Sequence, residues 1–180
     1  MTMAILEELK PCKDGMKFVN DCGGDFRKVW DTCERGDWLI WGLRRSGNLD
    51  KPTAVRLAIE CARHVLDIYE KKRPGDNWAR AAIESAEAWL KNPTEENRQK
   101  CRQVYASVYA SAAAAYAAYA AAYAAAYAYA AYAAAYAAAS ATDAAALATA
   151  TDATYAIAKK TEQKWQANKI RELVAYPFEC

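Results

Sequence analysis

Apolar side chains in the first half of the chain recur at the spacing of an amphipathic helix. The positions that share one helical face are Val55, Ile59, Ala62, Leu66 and Tyr69. Asp50 is a favourable N-cap for this helix, and Pro74 with Gly75 ends the pattern. Asp76 then opens a second helix, which ends before Asn92. This part of the chain therefore predicts two helices in succession.

The residues before Asp50 consist of short apolar and polar runs separated by glycines. We predict three short helices there, over residues 13–22, 26–33 and 38–45. Gly23 and Gly24 separate the first two helices, because glycine favours helix ends. Asp37 is expected to be the N-cap of the third helix.

The second half of the chain has no glycine or proline between Pro93 and Pro177. Thr94, with two acidic residues behind it, predicts a helix start. An unbroken helix over the whole stretch would be on the order of 125 Å long, so we expect at least one reversal. The short polar side chains of residues 140–143 favour a new helix start there. A second candidate is residues 127–129, where the tyrosines change helical face.

These patterns predict an all-α protein, folded as a helical bundle. We expect one helical domain over residues 1–180, with short helices in residues 1–93 and long Ala/Tyr-rich helices in residues 94–176. Alanine has high helix propensity and little bulk, so such helices pack closely while tyrosine rings fill the gaps. An uncharged Ala/Tyr face is costly to leave in water, and we therefore expect a homo-oligomer.

The amino-acid composition argues against two classes of partner, membranes and nucleic acids. Residues 110–141 comprise 23 Ala, 7 Tyr and 2 Ser, whereas a membrane span needs the stronger apolarity of Leu, Ile, Val and Phe. The 24 basic and 22 acidic residues leave a net charge of +2, well short of the basic excess of nucleic-acid binders. We expect neither a membrane nor a nucleic-acid partner.

Six cysteines lie at positions 12, 22, 33, 61, 101 and 180. The start of the chain runs into Glu7 and Glu8 without the basic and apolar segments of a signal peptide, which predicts a cytoplasmic protein with reduced thiols. The nearest spacings of 10 and 11 residues are too wide for the close ligand pairs of structural zinc sites. We expect no metal and no cofactor.

The sequence contains no recognisable catalytic motif, neither a Gly-rich phosphate loop nor a G-x-S-x-G or H-E-x-x-H segment. His64 follows Cys61 by three residues, a spacing at which a helix can bring a nucleophile and a base together. No orienting acid or glycine turn accompanies them, so a partly buried structural histidine is favoured. We expect a protein that is not an enzyme.

Candidate recognition residues lie in two segments. Residues 30–41 contain three tryptophans and an Arg-Gly-Asp turn, and residues 110–141 carry a tyrosine stripe. The predicted partner-binding residues are Arg35, Asp37, Trp38, Trp41, Tyr116, Tyr119 and Tyr123. Core packing is the alternative for each aromatic residue, and we expect it for Trp41. The Arg35 to Trp38 turn is expected to serve both packing and recognition.

The order of these features resembles a family of immunity proteins of phages and bacteria. The matching features are a Leu-Lys-Pro-Cys run at residues 9–12, Val29 with Trp30, Cys33, the R-G-D-W-L-x-W segment at residues 35–41 and the Ala/Tyr tract. The resemblance covers roughly residues 6–175. It implies an all-helical inhibitor of a toxin or of a competing defence effector.

From the resemblance we expect a non-enzymatic immunity or phage anti-defence protein that occludes a protein partner in the bacterial host cytoplasm. The alternative is a binder of a nucleotide-like signalling molecule. In that case tyrosine rings would stack on the base and arginines would contact the phosphates.

Overall fold

A computed structural model describes residues 1–107, 117, 120, 121, 130–147 and 152–178. In these residues the chain forms ten helices and no strand, which confirms the predicted all-α class. The helices are α1 Met3–Glu8, α2 Lys13–Asp21, α3 Phe26–Thr32, α4 Gly36–Arg45, α5 Lys51–His64, α6 Leu66–Lys72, α7 Trp78–Lys91, α8 Glu95–Ser107, α9 Ala130–Leu147 and α10 Asp152–Leu173.

The three predicted short helices correspond to α2, α3 and α4, but the start of α4 differs from the prediction. The helix begins at Gly36, and Arg35 occupies the N-cap without a capping hydrogen bond from its side chain. Asp37 lies in the first turn, so the prediction that Asp37 caps this helix is wrong. A residue inside the first turn cannot be the N-cap, and the Asp37 carboxylate accepts from the Arg35 guanidinium at 2.6 Å.

Two other predicted helix starts are confirmed by their capping contacts. The Thr53 N–H donates to Asp50 Oδ1 at 2.7 Å at the start of α5. The Asn97 N–H donates to Thr94 Oγ1 at 3.3 Å at the start of α8. The long run that was predicted to continue to Pro74 is divided at Val65 into α5 and α6.

The predicted reversal at residues 140–143 is wrong, because α9 continues through them. Thr142 Oγ1 donates to the Ala138 carbonyl at 2.9 Å, so its hydroxyl is used inside the helix and is not needed as a cap. Helix α10, which begins at Asp152, runs in the direction opposite to α9. The alternative reversal at residues 127–129 lies outside the described residues.

Helices α9 and α10 lie antiparallel. Gln166 of α10 contacts Ala138 of α9, whereas the earlier Lys159 of α10 has its Nζ 3.9 Å from Asp143 Oδ1. Helix α9 packs against α5, α10 and α4, while α7 packs between α5 and α8. The described helices include none that is both long and apolar enough to cross a membrane.

The hydrophobic core joins large side chains from the first half to alanines from the second. Fully buried large residues come from α4, α5, α7 and α10, and include Ile40, Leu43, Leu57, Ile83 and Ile170. Helix α9 contributes Ala134, Ala137, Ala138, Ala141 and Ala144. Because a methyl group projects so little, α9 can approach its neighbours closely, as the alanine content predicts.

Candidate functional site

An apolar cavity lies between the N-terminal helices and the C-terminal segment. Its volume is about 370 Å³. Apolar side chains from α1 to α4 form most of its wall, together with one residue near the C-terminus; they include Leu6, Phe18, Val19, Val29, Leu39 and Phe178. A concave, mostly apolar space with a few polar groups is the usual form of a binding site.

The structure brings four of the seven predicted partner-binding residues together at this cavity. Arg35, Asp37, Trp38 and Trp41 all line it. The other three, Tyr116, Tyr119 and Tyr123, lie outside the described residues.

Arg35, Asp37 and Trp38 form one connected unit at the cavity. Arg35 Nε donates to Asp37 Oδ1 at 2.8 Å, and Arg35 Nη2 donates to Asp37 Oδ2 at 2.6 Å. The guanidinium lies 4.6 Å from the centre of the Trp38 ring. The hydrogen bonds to Asp37 raise the pKa of Arg35 above its usual value. Both charged side chains are 41% exposed, so the pair is fixed in position and still accessible.

The two tryptophans of α4 differ in their surroundings. The Trp38 ring lies 5.9 Å from the Phe18 ring and packs against the edge of the hydrophobic core. Trp41 is half-buried in the cavity wall. The choice between core packing and recognition for Trp41 therefore stays a prediction.

Helix α10 fixes the position of the Arg35 turn. Gly36 lies so close to α10 that an added Cβ would fall 2.6 Å from Gln166 Cβ and 3.1 Å from the Ala167 nitrogen. Arg171 Nε donates to the Trp30 carbonyl at 2.6 Å, and Arg171 Nη2 donates to the Cys33 carbonyl. These contacts hold the end of α3 and the start of α4 against a long helix.

A second polar cluster lies behind this turn, between α5, α9 and α10. Glu162 is nearly fully buried, with Oε2 3.1 Å from His64 Nε2. Gln166 Nε2 donates to Glu162 Oε1 at 3.0 Å, to Thr142 Oγ1 at 3.1 Å and to the Ala138 carbonyl at 2.8 Å. A buried carboxylate is costly unless it is paired in this way. The cluster thus joins three helices.

His64 does not pair with Cys61 as a nucleophile and base would. Its ring stacks on Trp165 with 3.8 Å between centroids, and its Nε2 faces Glu162. Cys61 is buried, and this burial raises the pKa of its thiol, which disfavours the reactive thiolate. These contacts are those of a structural histidine, but the side chain of His64 is 39% exposed and so is less buried than predicted. In the part of the chain that is described, no three His, Cys, Asp or Glu side chains gather to hold a metal ion.

The middle and end of the chain match a known family model. Residues 47–171 match the model described as Family of unknown function (DUF6931). The chain belongs to this family. No curated protein matches the chain, and no solved structure matches it.

The DUF6931 segment includes the buried polar cluster but none of the cavity wall. Glu162, Gln166 and Arg171 lie inside residues 47–171, whereas the cavity is lined by residues 1–42 and by Phe178. The resemblance to immunity proteins rests partly on residues 35–41, which precede the matched segment. It therefore stays a prediction.

Sequence reasoning missed most of the cavity wall. Leu6 comes from α1, Phe18 and Val19 come from α2, and Phe178 lies near the opposite end of the chain. Nothing in their local patterns distinguishes them from ordinary core residues. Their common role arises only when the helices are packed together.

Proposed function

We propose that this protein is a non-enzymatic binding protein that inhibits a toxin or a defence effector in the bacterial cytoplasm. The observation that carries the proposal is the convergence of Arg35, Asp37, Trp38 and Trp41 on one apolar cavity. Arginine and tryptophan are enriched among the residues that contribute most to protein–protein affinity. The cavity would receive an apolar side chain of the partner.

The charged pair supports a protein partner in a second way. Arg35 and Asp37 are hydrogen-bonded to each other, so burying the pair in an interface would leave neither charge unpaired. Their exposed edges remain able to exchange hydrogen bonds with a partner. A fixed aromatic and charged rim also loses little conformational entropy on binding.

A nucleotide-like ligand is less well supported at this site. The Arg35 guanidinium is engaged by Asp37 and by the Trp38 ring, which leaves it poorly disposed to bind phosphate. The tyrosines that would stack on a base lie outside the described residues.

The proposal is tested by co-expression with the product of the neighbouring open reading frame. We expect that product alone to slow bacterial growth, and co-expression of this chain to restore growth and yield a complex on gel filtration. A neighbour that is harmless and does not bind would contradict the proposal of a cognate inhibitor.

Charge variants then test whether the cavity rim makes the contact. Asp37→Lys should weaken the complex by 2 kcal/mol or roughly 30-fold, as measured by calorimetry. Asp31→Lys is the matched control, because Asp31 is exposed on α3 and does not line the cavity. The exchanged pair Arg35→Asp with Asp37→Arg preserves an internal ion pair. If that double variant binds as tightly as the original chain, the turn is scaffold and the contact lies elsewhere.

A further inference from the structure

A shallow depression lies beside the apolar cavity, on the surface formed by α1, α2 and the turn between them. Its charged lining residues are three lysines, Lys10, Lys13 and Lys17, and one acid, Glu7. Pro11 lines both the depression and the cavity, so the two concave surfaces adjoin. A partner that places a side chain in the cavity therefore has these lysines within reach of its neighbouring residues.

Two of the three lysines are available to a partner. Lys17 Nζ lies 2.7 Å from Asp21 Oδ2, whereas no carboxylate among the described residues pairs with Lys10 or Lys13. Both side chains are exposed. An acidic group of a partner could bind either ammonium group without first breaking an ion pair.

The acids of α2 do not line the depression. Asp14 follows Lys13 by one residue and so lies about 100° around the helix from it. Asp21 is likewise outside the lining and is paired with Lys17. Among the lining residues three ammonium groups meet the single carboxylate of Glu7, which leaves the depression with a net positive charge.

The turn that carries Lys10 is held in a fixed conformation. Lys10 has a φ of 54°, in the left-handed region that residues other than glycine seldom adopt. Its N–H donates to the Glu7 carbonyl at 3.0 Å, and Arg45 Nη2 of α4 donates to the Leu9 carbonyl at 3.1 Å. The backbone of this turn is therefore ordered before a partner binds, which limits the entropy lost on binding.

We propose that the partner protein presents an apolar side chain within an acidic segment, an inference that rests on the inhibitor function proposed above. The apolar side chain enters the cavity, and the neighbouring acidic residues lie against Lys10 and Lys13. The apolar wall is recessed in a space of about 370 Å³, which fits a single side chain better than the flat surface of a membrane. Opposite charges at the edge of such an interface speed association and fix its orientation.

The test measures the binding of three short, fluorescently labelled peptides to the full chain by anisotropy. The acidic peptide has one central phenylalanine flanked by glutamates. The second peptide has glutamines in place of the glutamates, and the third has serine in place of the phenylalanine. We expect the acidic peptide to bind roughly tenfold more tightly than either of the others, because it alone supplies both the ring and the carboxylates. Its affinity should fall as the salt concentration rises.

Charge variants test whether the lysines make the contact. The double variant Lys10→Glu with Lys13→Glu should bind the acidic peptide roughly tenfold more weakly or worse. Lys28→Glu is the matched control, because Lys28 is exposed on α3 and lines neither concave surface. All three substituted side chains are exposed, so circular dichroism should show an unchanged helix content.

Three results would overturn the proposal: equal affinities for the glutamate and glutamine peptides, an equal loss in the Lys28→Glu control, or no binding of any peptide. Binding to phosphatidylglycerol vesicles that requires Lys10 and Lys13, without peptide binding, would assign the surface to an anionic membrane instead. The inhibitor function can survive such a failure. A complex with the product of the neighbouring open reading frame that forms normally in the double variant would leave that function standing and remove only the acidic segment.

Discussion

The cavity lined by α1 to α4 and the buried face of α9 use opposite kinds of side chain. Bulky residues such as Phe18 and Trp41 surround the cavity, and about 370 Å³ between them is left open. On the buried face of α9, Ala137, Ala138 and Ala141 are at most 1% exposed. The large side chains around the cavity leave open space, whereas the alanines of α9 are fully packed. The space proposed for a partner therefore lies in the first region.

Polar groups show the same contrast. The Arg35 and Asp37 side chains are each 41% exposed and remain available at the cavity. Glu162 has a side chain only 2% exposed, and its two oxygens face His64 and Gln166. An exposed pair can exchange partners cheaply, but a buried carboxylate depends on those it has. The proposed recognition therefore belongs to the first region, and the second region stabilises helix packing.

The largest loss of stability is expected for a substitution in the buried polar cluster of His64, Glu162 and Gln166. Gln166→Leu removes the group that donates to Glu162, Thr142 and the Ala138 carbonyl, so a buried carboxylate loses one of its partners. We expect the free energy of unfolding to fall by roughly 3 kcal/mol in urea denaturation. Gln103→Leu makes the same change at an exposed position of α8 and should have little effect. Equal losses in the two variants would remove the distinction drawn between the regions.

The next largest loss of stability is expected where α4 packs closely against α10, between the two regions. Gly36→Ala would place a methyl group 2.6 Å from Gln166 Cβ, and should cost about 2–3 kcal/mol of stability by overpacking. Gly42→Ala on the same helix would meet only the Phe178 ring at 3.8 Å, which is ordinary contact. Thermal melts should show a large decrease for the first variant and no decrease for the second. A tolerated Gly36→Ala would show that α4 is not held closely on α10.

Added volume on the buried alanine face of α9 should also lower the stability of the fold. Ala137 is fully buried, so Ala137→Leu should lower the free energy of unfolding by about 2 kcal/mol. Ala139 is exposed on the same helix, and Ala139→Leu should change stability by less than about 0.5 kcal/mol. Chemical denaturation of the two variants measures how tightly the buried face of α9 is packed. Similar stabilities of Ala137→Leu and Ala139→Leu would indicate loose packing.

The smallest expected effect is a gain, from added volume at the cavity. Val29 lines the open space, so Val29→Leu should be accommodated and should raise stability by at most about 0.8 kcal/mol, the value of one buried methylene. The same substitution should weaken the proposed protein complex, because the space for the partner's side chain is reduced. A loss of stability as large as that of Ala137→Leu would show that the cavity is not open to added volume.

Helix content and several helix starts were determined by the sequence alone. Asp50 and Thr94 cap the helices they were predicted to cap, because a short oxygen-bearing side chain bonds to an amide only three residues away. The concentration of Arg35, Asp37 and Trp38 in one short segment was also visible before any fold was known. These are local properties, which neighbours along the chain decide.

Tertiary structure decided the features that depend on a second partner. Thr142 does not begin a helix, because it lies inside α9, where its hydroxyl receives Gln166 from α10. Helix α4 begins at Gly36, which lies directly against α10. The cavity itself needs residues 1–42 and Phe178 to meet. Hydrogen-bond partners on other helices, and the cavity between helices, depend on which helices pack together. The pattern of residues along the chain does not predict that packing.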